Sequence, residues 1–174
     1  MSAPAPRPLR IWELLAALVR GGVDFLVIGG VAVGAHGFER GTKDVDVVPQ
    51  PQDSNLDRLL RVLEELEAAP VDLGDLRADE LSVQWSRAAL AHGGNWFLDT
   101  RFGRLDVMQF VEGVLETAED YAGLAARALV LDTPVGAVRF AGFDDLLRMK
   151  LAAGREQDLI DVRALREARG ELGE

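Results

Sequence analysis

The chain has 174 residues, 48% of them apolar, with 19 Lys and Arg against 29 Asp and Glu and no cysteine. A chain of this length buries roughly 70% of its unfolded surface, so its core needs no disulfide or structural metal. The missing cysteine excludes thiolate zinc sites, redox pairs and thiol nucleophiles. No run of about 18 apolar residues suits a membrane span, and Met1 to Arg10 lacks the apolar stretch of a secretory signal. These features predict a cytoplasmic protein with no membrane partner. The net charge of −10 disfavours phosphate-rich partners as a whole, but residues 51–80 hold three basic and nine acidic groups, while residues 1–50 hold five of each. The excess acidity is expected to face away from any anionic substrate.

Ile11, Leu14, Leu15, Leu18 and Val19 have the spacing of a helix with one buried face, which Gly21-Gly22 stops. Phe25 to Ile28 reads as a buried strand bounded by Gly29-Gly30, residues 31–38 as a short helix, and Lys43 to Val48 as a second strand ended by Pro49. Leu56, Leu59, Leu60, Leu63 and Leu66 predict an amphipathic helix over 53–67. An acidic connection over 70–80 is followed by strands expected at 82–86, 95–99 and 104–110. Residues 129–131 and 137–140 form a hairpin, and helices follow over 143–153 and 156–169, with Gly154 between them. The fold class is α+β: a mixed β-sheet with flanking helices gathered at the two ends of the chain. The whole of 1–174 is expected to be one domain, with a core of about 10–141 and a C-terminal helical segment of about 142–174.

Four features carry chemistry. Gly29-Gly30 after a strand lets a backbone approach a phosphate closely, although such a pair is more often just a tight turn. Asp44 and Asp46, at i and i+2 of an apolar strand, share one sheet face while Val45 and Val47 face the core. Paired carboxylates repel unless a cation lies between them or one is protonated. Mg²⁺ is the ion typically held by one or two carboxylates plus substrate phosphates, and two solvated aspartates at a strand end are the bland alternative. Asp106 is a lone carboxylate in the strand Arg104 to Met108: either a third ligand for a two-metal site or an edge-strand aspartate facing solvent. Late in the chain, Lys150 is a point charge suited to a triphosphate and Arg155 a forked donor, while Asp158 and Asp161 share one helix face. Alone, that stretch reads more simply as an exposed, salt-bridged helix.

In order, these features form a pattern. The run Phe25 to Val48, with Arg40, Thr42, Asp44 and Asp46 as Arg-x-Thr-x-Asp-x-Asp after the glycines, resembles the nucleotidyltransferases of the DNA polymerase β superfamily. Within it, the sequence looks most like the AbiEii/MenT-type toxin branch of minimal nucleotidyltransferases. The branch's late Lys, Ala, Arg, Asp, Asp pattern maps onto Lys150, Ala153 (one position late), Arg155, Asp158 and Asp161. Residues 51–95 lie outside the resemblance.

The resemblance implies a polymerase β-like fold and transfer of a nucleoside monophosphate from a nucleoside triphosphate to an acceptor hydroxyl. It implies Asp44, Asp46 and Asp106 as catalytic metal ligands for two Mg²⁺ ions, with Mn²⁺ as a substitute, and Asp106 as a candidate base. Lys150 joins them as a catalytic group that offsets charge on pyrophosphate. Gly29, Gly30, Arg40, Thr42, Lys150, Arg155 and Asp158 are its nucleotide-binding positions. The toxin branch implies a tRNA 3′ end as acceptor and an antitoxin protein as partner. An RNA acceptor needs a positive surface, for which Arg40, Lys43, Arg101, Arg104, Arg148, Arg155 and Arg163 are candidates. The alternatives are adenylylation of a small hydroxylated antibiotic of the lincosamide or aminoglycoside kind, and a catalytically idle binding partner. His36 and His92 read as structural or surface residues.

Overall fold

The computed structural model describes residues 7–71 and 86–170. The heptad-like apolar spacing near the N-terminus builds α1 (Ile11–Arg20), which buries Leu14, Leu15, Ala17 and Leu18. The chain then enters β1 (Phe25–Ile28), buried at every position, followed directly by α2 (Gly29–Ala35) and β2 (Asp44–Pro49). The leucine-spaced segment is α3 (Asp53–Glu65). A two-residue strand β3 (Ala69–Pro70) and a short helix α4 (Arg87–Ala91) precede the hairpin of β4 (Trp96–Thr100) and β5 (Gly103–Val107). Helix α5 (Asp120–Ala126), the hairpin β6 (Leu129–Thr133) and β7 (Gly136–Phe140), and helices α6 (Phe143–Ala153) and α7 (Glu156–Ala168) complete the chain.

The strands form one seven-stranded mixed sheet in the order β3-β4-β5-β2-β1-β7-β6. Parallel pairing joins β2 to β5 and β1 to β7, and the other neighbours are antiparallel. Apolar β1 occupies a central place because it has no polar side chain to offer solvent. Helix α1 packs with α3, while α2 packs on β1, β2 and α6, and α6 on α7. The expected mixed α+β architecture is therefore the one observed.

Several boundaries differ, each for a local reason. Helix α2 begins at Gly29, so the glycine pair opens the helix instead of forming a loop before it. Pro49 belongs to β2, at the end of the ladder opposite Phe25, where a missing N–H is tolerated. Strand β5 ends at Val107 instead of 110, and α3 ends at Glu65. Of the strand expected at 82–86, residues 82–85 lie outside the described residues, and Ser86 caps α4, its Oγ accepting from the Ala89 amide at 3.0 Å. Helices are not confined to the chain ends: α4 and α5 sit in the middle. Helix α5 carries a weak periodic signal, because only Tyr121 and Leu124 are buried on it.

Fully buried Asn55 ties α3 to the sheet. Its Nδ2 donates to the carbonyls of Asp24 (2.8 Å) and Gln50 (2.9 Å), and its Oδ1 accepts from the Asp24 amide at 2.7 Å. Asn55→Ala would leave the Asp24 amide and the Gln50 carbonyl without this partner, while the Asp24 carbonyl keeps the Gln50 amide at 2.9 Å; the expected loss is about 2–3 kcal/mol, measurable by urea unfolding.

Candidate active site

One row of side chains crosses the middle of the sheet. Register pairs Ile28 with Asp46, Asp46 with Asp106, and Asp106 with Phe97. Directly opposed residues share a face, so these four side chains line up across β1, β2, β5 and β4. The next row pairs Asp44 with Arg104 and Arg104 with Asp99. Val45 and Val47 are fully buried on the other face, as the alternation requires.

Gly29 explains how a carboxylate fits at the head of α2. Its φ is +65°, and a Cβ built there would lie 1.9 Å from Asp46 Oδ2, so only glycine meets both demands. A Cβ on Gly30 would meet Thr42 Oγ1 at 2.8 Å and Arg40 Nη1 at 3.2 Å. The segment 40–42 thus lies directly over the glycines. Thr42 Oγ1 is 3.1 Å from the Asp44 carbonyl and 3.2 Å from Asp44 Oδ1, fixing the start of β2.

The last two helices contribute a buried ion network. Gly154, at φ +61°, ends α6 in the left-handed conformation and turns the chain into α7. Lys150 Nζ is thereby placed 2.9 Å from Asp158 Oδ1 and 2.9 Å from Asp161 Oδ2. Asp161 also accepts both arms of the Arg40 guanidinium at 2.7 Å each, and Gln157 donates to it at 3.0 Å. Asp158 accepts from Arg155 Nε at 2.7 Å and from the Arg155 amide at 3.3 Å, capping α7. Both late aspartates therefore serve the same lysine.

These elements enclose a cleft of about 700 Å³ lined by Gly29, Gly30, Arg40, Thr42, Lys43, Asp44, Asp46, Asp106, Lys150, Arg155 and Asp158. Every position that the sequence assigns to the site borders this one space. No residue of acidic α3 lines it. Phe97, Met108, Val111, Leu146 and Met149 complete the walls, and none of these was expected from the sequence. Arg148 is directed to Asp145 at 2.9 Å, and Arg101 stacks on Phe102 and pairs with Glu65 at 3.6 Å, so neither lines the cleft. His36 is structural: its Nε2 donates to the Ala141 carbonyl at 2.8 Å and its ring meets Phe143 edge-on.

The electrostatics follow from crowding. Burial, then the charges of Asp44 and Asp106, push the Asp46 carboxyl up to about 7, against the pull of Lys150 and Arg155. Burial also raises Asp106, although Arg104 Nε donates to its Oδ1 at 3.1 Å and restrains the shift. Asp46 accepts no hydrogen bond among the described residues. A half-buried carboxylate between two others, with no donor of its own, is a donor set that fits a hard divalent cation. Among the described residues no three His, Cys, Asp or Glu side chains are arranged to hold an ion by themselves, consistent with an ion that completes its shell with phosphate and water.

A family model described as nucleotidyltransferase of unknown function (DUF6036) matches residues 10–166. The chain belongs to this family. This nucleotidyltransferase shares its polymerase β-like fold with solved structures of low sequence identity. The lincosamide antibiotic adenylyltransferase LnuA, bound to lincomycin, is 15% identical with a TM-score of 0.60, over 93% of this chain and 99% of that one. ANT(2'')-Ia, in complex with adenylyl-2''-tobramycin, is 15% identical with a TM-score of 0.54, over 92% and 88%. An antigenic nucleotidyltransferase-like protein from Paracoccidioides brasiliensis is 17% identical with a TM-score of 0.53, over 94% and 78%. No curated protein matches the sequence.

Burial raises the carboxyls of Asp158 and Asp161, but hydrogen bonds from Arg155 and Lys150 to the first, and from Arg40, Lys150 and Gln157 to the second, hold both below the ordinary value. Their stabilisation is present above the unfolded value of about 3.9 and is lost as pH falls through the lower folded values. Melting temperature is therefore expected to drop below about pH 4, and Asp161→Asn, which takes the carboxylate from Arg40 and leaves Lys150 with Asp158 alone, to cost about 3 kcal/mol at neutral pH. Gly29→Ala should displace the Asp46 carboxylate and lower the melting temperature, with an upfield or downfield shift of the Asp46 carboxyl resonance as the direct readout.

Proposed function

We propose that this nucleotidyltransferase moves a nucleoside monophosphate from a nucleoside triphosphate to the 3′ end of tRNA, as a toxin of the AbiEii/MenT type held in check by an antitoxin protein. The observation that carries the transfer chemistry is Asp46, half-buried between Asp44 and Asp106 with no hydrogen-bond donor of its own among the described residues.

In this reading Asp44, Asp46 and Asp106 would hold Mg²⁺, two ions with the triphosphate, and Mn²⁺ would be able to replace them. The bound ions supply positive charge to the phosphates and make the acceptor hydroxyl more acidic. The chain's own groups do the rest. Gly29 and Gly30 let the backbone approach the phosphate tail, and Thr42 and Arg40 border that end of the cleft. The acceptor oxygen bonds to the α-phosphorus, the bond from that phosphorus to the bridging oxygen breaks, and pyrophosphate leaves with the electron pair. Asp106, its carboxyl raised by burial, takes the hydroxyl proton. Lys150 and Arg155 present positive charge to the departing pyrophosphate. Asp158 and Asp161 keep the Lys150 ammonium back; without them it would pair with Asp46 and occupy the place of a cation.

The RNA acceptor is supported by Lys43, which lines the cleft, by Arg104, which donates to Asp106 there, and by acidic α3, none of whose residues lines it. A second reading, adenylylation of a small hydroxylated antibiotic, has one specific support: LnuA and ANT(2'')-Ia share the fold over nearly the whole chain. Labelled nucleoside triphosphates incubated with the protein and, in parallel, total RNA, a drug panel and a protein lysate separate the two. Label is expected on RNA, and label on drug alone would replace the RNA reading. Asp44→Ala and Asp46→Ala are each expected to reduce transfer by about a thousandfold or more, in line with the loss of a metal-ligating catalytic group, and to abolish growth arrest on expression.

A further inference from the structure

The cleft has a direction. Along the sheet it runs from Gly29, at the end of β1, past Asp46 on β2 and Asp106 on β5, to Phe97 on β4. Adjacent strands lie about 4.8 Å apart, so Phe97 stands roughly 10 Å beyond Asp46, on the side away from the glycines. In-line displacement requires the entering oxygen and the leaving pyrophosphate on opposite sides of the phosphorus. With the phosphate tail at the Gly29 end, the acceptor enters from the Phe97 end.

That end is chemically unlike the rest of the cleft. Phe97, Met108 and Val111 form an apolar wall beside the carboxylates. The Arg104 guanidinium lies 5.8 Å from the Phe97 ring centroid while donating to Asp106. An aromatic ring with an arginine over it, next to the group that receives the hydroxyl proton, matches the requirements of a nucleoside: a ring and guanidinium surface for the base and a cation for the neighbouring phosphate. A polycationic drug would instead meet the Arg104 guanidinium, which stands in register between Asp44 and Asp99.

We propose that Phe97 is the platform on which the 3′-terminal base of the RNA acceptor stacks, with Arg104 placed for the phosphate that precedes it. This rests on the RNA reading above and adds the residue that selects for a base at the acceptor position. Phe97 is a binding and specificity residue, and the proton chemistry stays with Asp106.

The test uses the full chain and an RNA oligonucleotide with the 3′ end of tRNA, carrying 2-aminopurine as its terminal base. Wild-type protein is expected to quench the fluorophore on binding. Phe97→Ala and Phe97→Leu should lose the quenching and raise KM for RNA about tenfold, the scale of one base–aromatic stack, with KM for the nucleoside triphosphate unchanged. Phe97→Trp should restore both. Phe97→Leu keeps the apolar bulk, so an unaltered melting temperature separates lost stacking from lost folding. RNA labelling and quenching that persist unchanged in Phe97→Ala and Phe97→Leu overturn this inference and leave the RNA reading standing. A rise in KM for the triphosphate instead would place the donor base on Phe97 and also overturn it. Label on drug alone overturns the RNA reading and the inference with it.

Discussion

A carboxylate in a half-buried cleft is costly when two others stand beside it, and Asp46 is in that position. Its charge is opposed by burial and by Asp44 and Asp106 together, enough to bring its carboxyl to about 7. The surrounding structure is arranged around that repulsion. Gly29 has no Cβ and a positive φ, so the head of α2 can sit against the carboxylate. Apolar Val45 and Val47 anchor β2 from the opposite face, which prevents the strand from rotating its aspartates into solvent. Arg104 restrains Asp106 from the row beside it. The result stores negative potential at one spot, and a cation with phosphate ligands of its own relieves it.

The positive side of the cleft is held by a different device. Lys150 and Arg40 would each be drawn toward the aspartates of β2 if nothing else bound them. Asp161 grips both, and Asp158 shares Lys150 and holds Arg155. Buried networks of this kind contribute less to net stability than their distances suggest, because desolvation opposes the Coulomb gain. Their effect here is geometric: the cations border the cleft at fixed positions and do not neutralise Asp46. The left-handed turn at Gly154 makes this possible by folding α7 back so that positions 158 and 161 face position 150.

Much of this was legible in the sequence. The alternation Asp44-Val45-Asp46-Val47 demands one polar and one apolar face whatever the strand pairs with. Gly29-Gly30, the Asp-x-Asp strand and late Lys150, Arg155 and Asp158 all lie along the same cleft, with Asp161 behind them on Lys150 and Arg40. The helical spacings of α1, α3, α6 and α7 gave those elements to within a few residues. Legibility failed where the signal was short or non-local. Helices α4 and α5 bury too few side chains to show a period. The sequence marks Arg104 only as one of several surface cations, and register on β5 places it on the Asp106 face.

What the sequence determined by itself was therefore the chemistry available: carboxylates at i and i+2, cations late in the chain, no thiols, and a set of motifs specific enough to indicate a nucleotidyltransferase. What only the tertiary structure decided was which residues meet. Phe97 is nine positions from Asp106 and has no motif, yet antiparallel register sets it directly opposite. Arg40 and Asp161 are 121 residues apart and form two hydrogen bonds. Side-chain type is a local property of the chain, but the neighbours of a charge depend on strand order, register and the packing angle of helices, and those emerge only when the whole core closes.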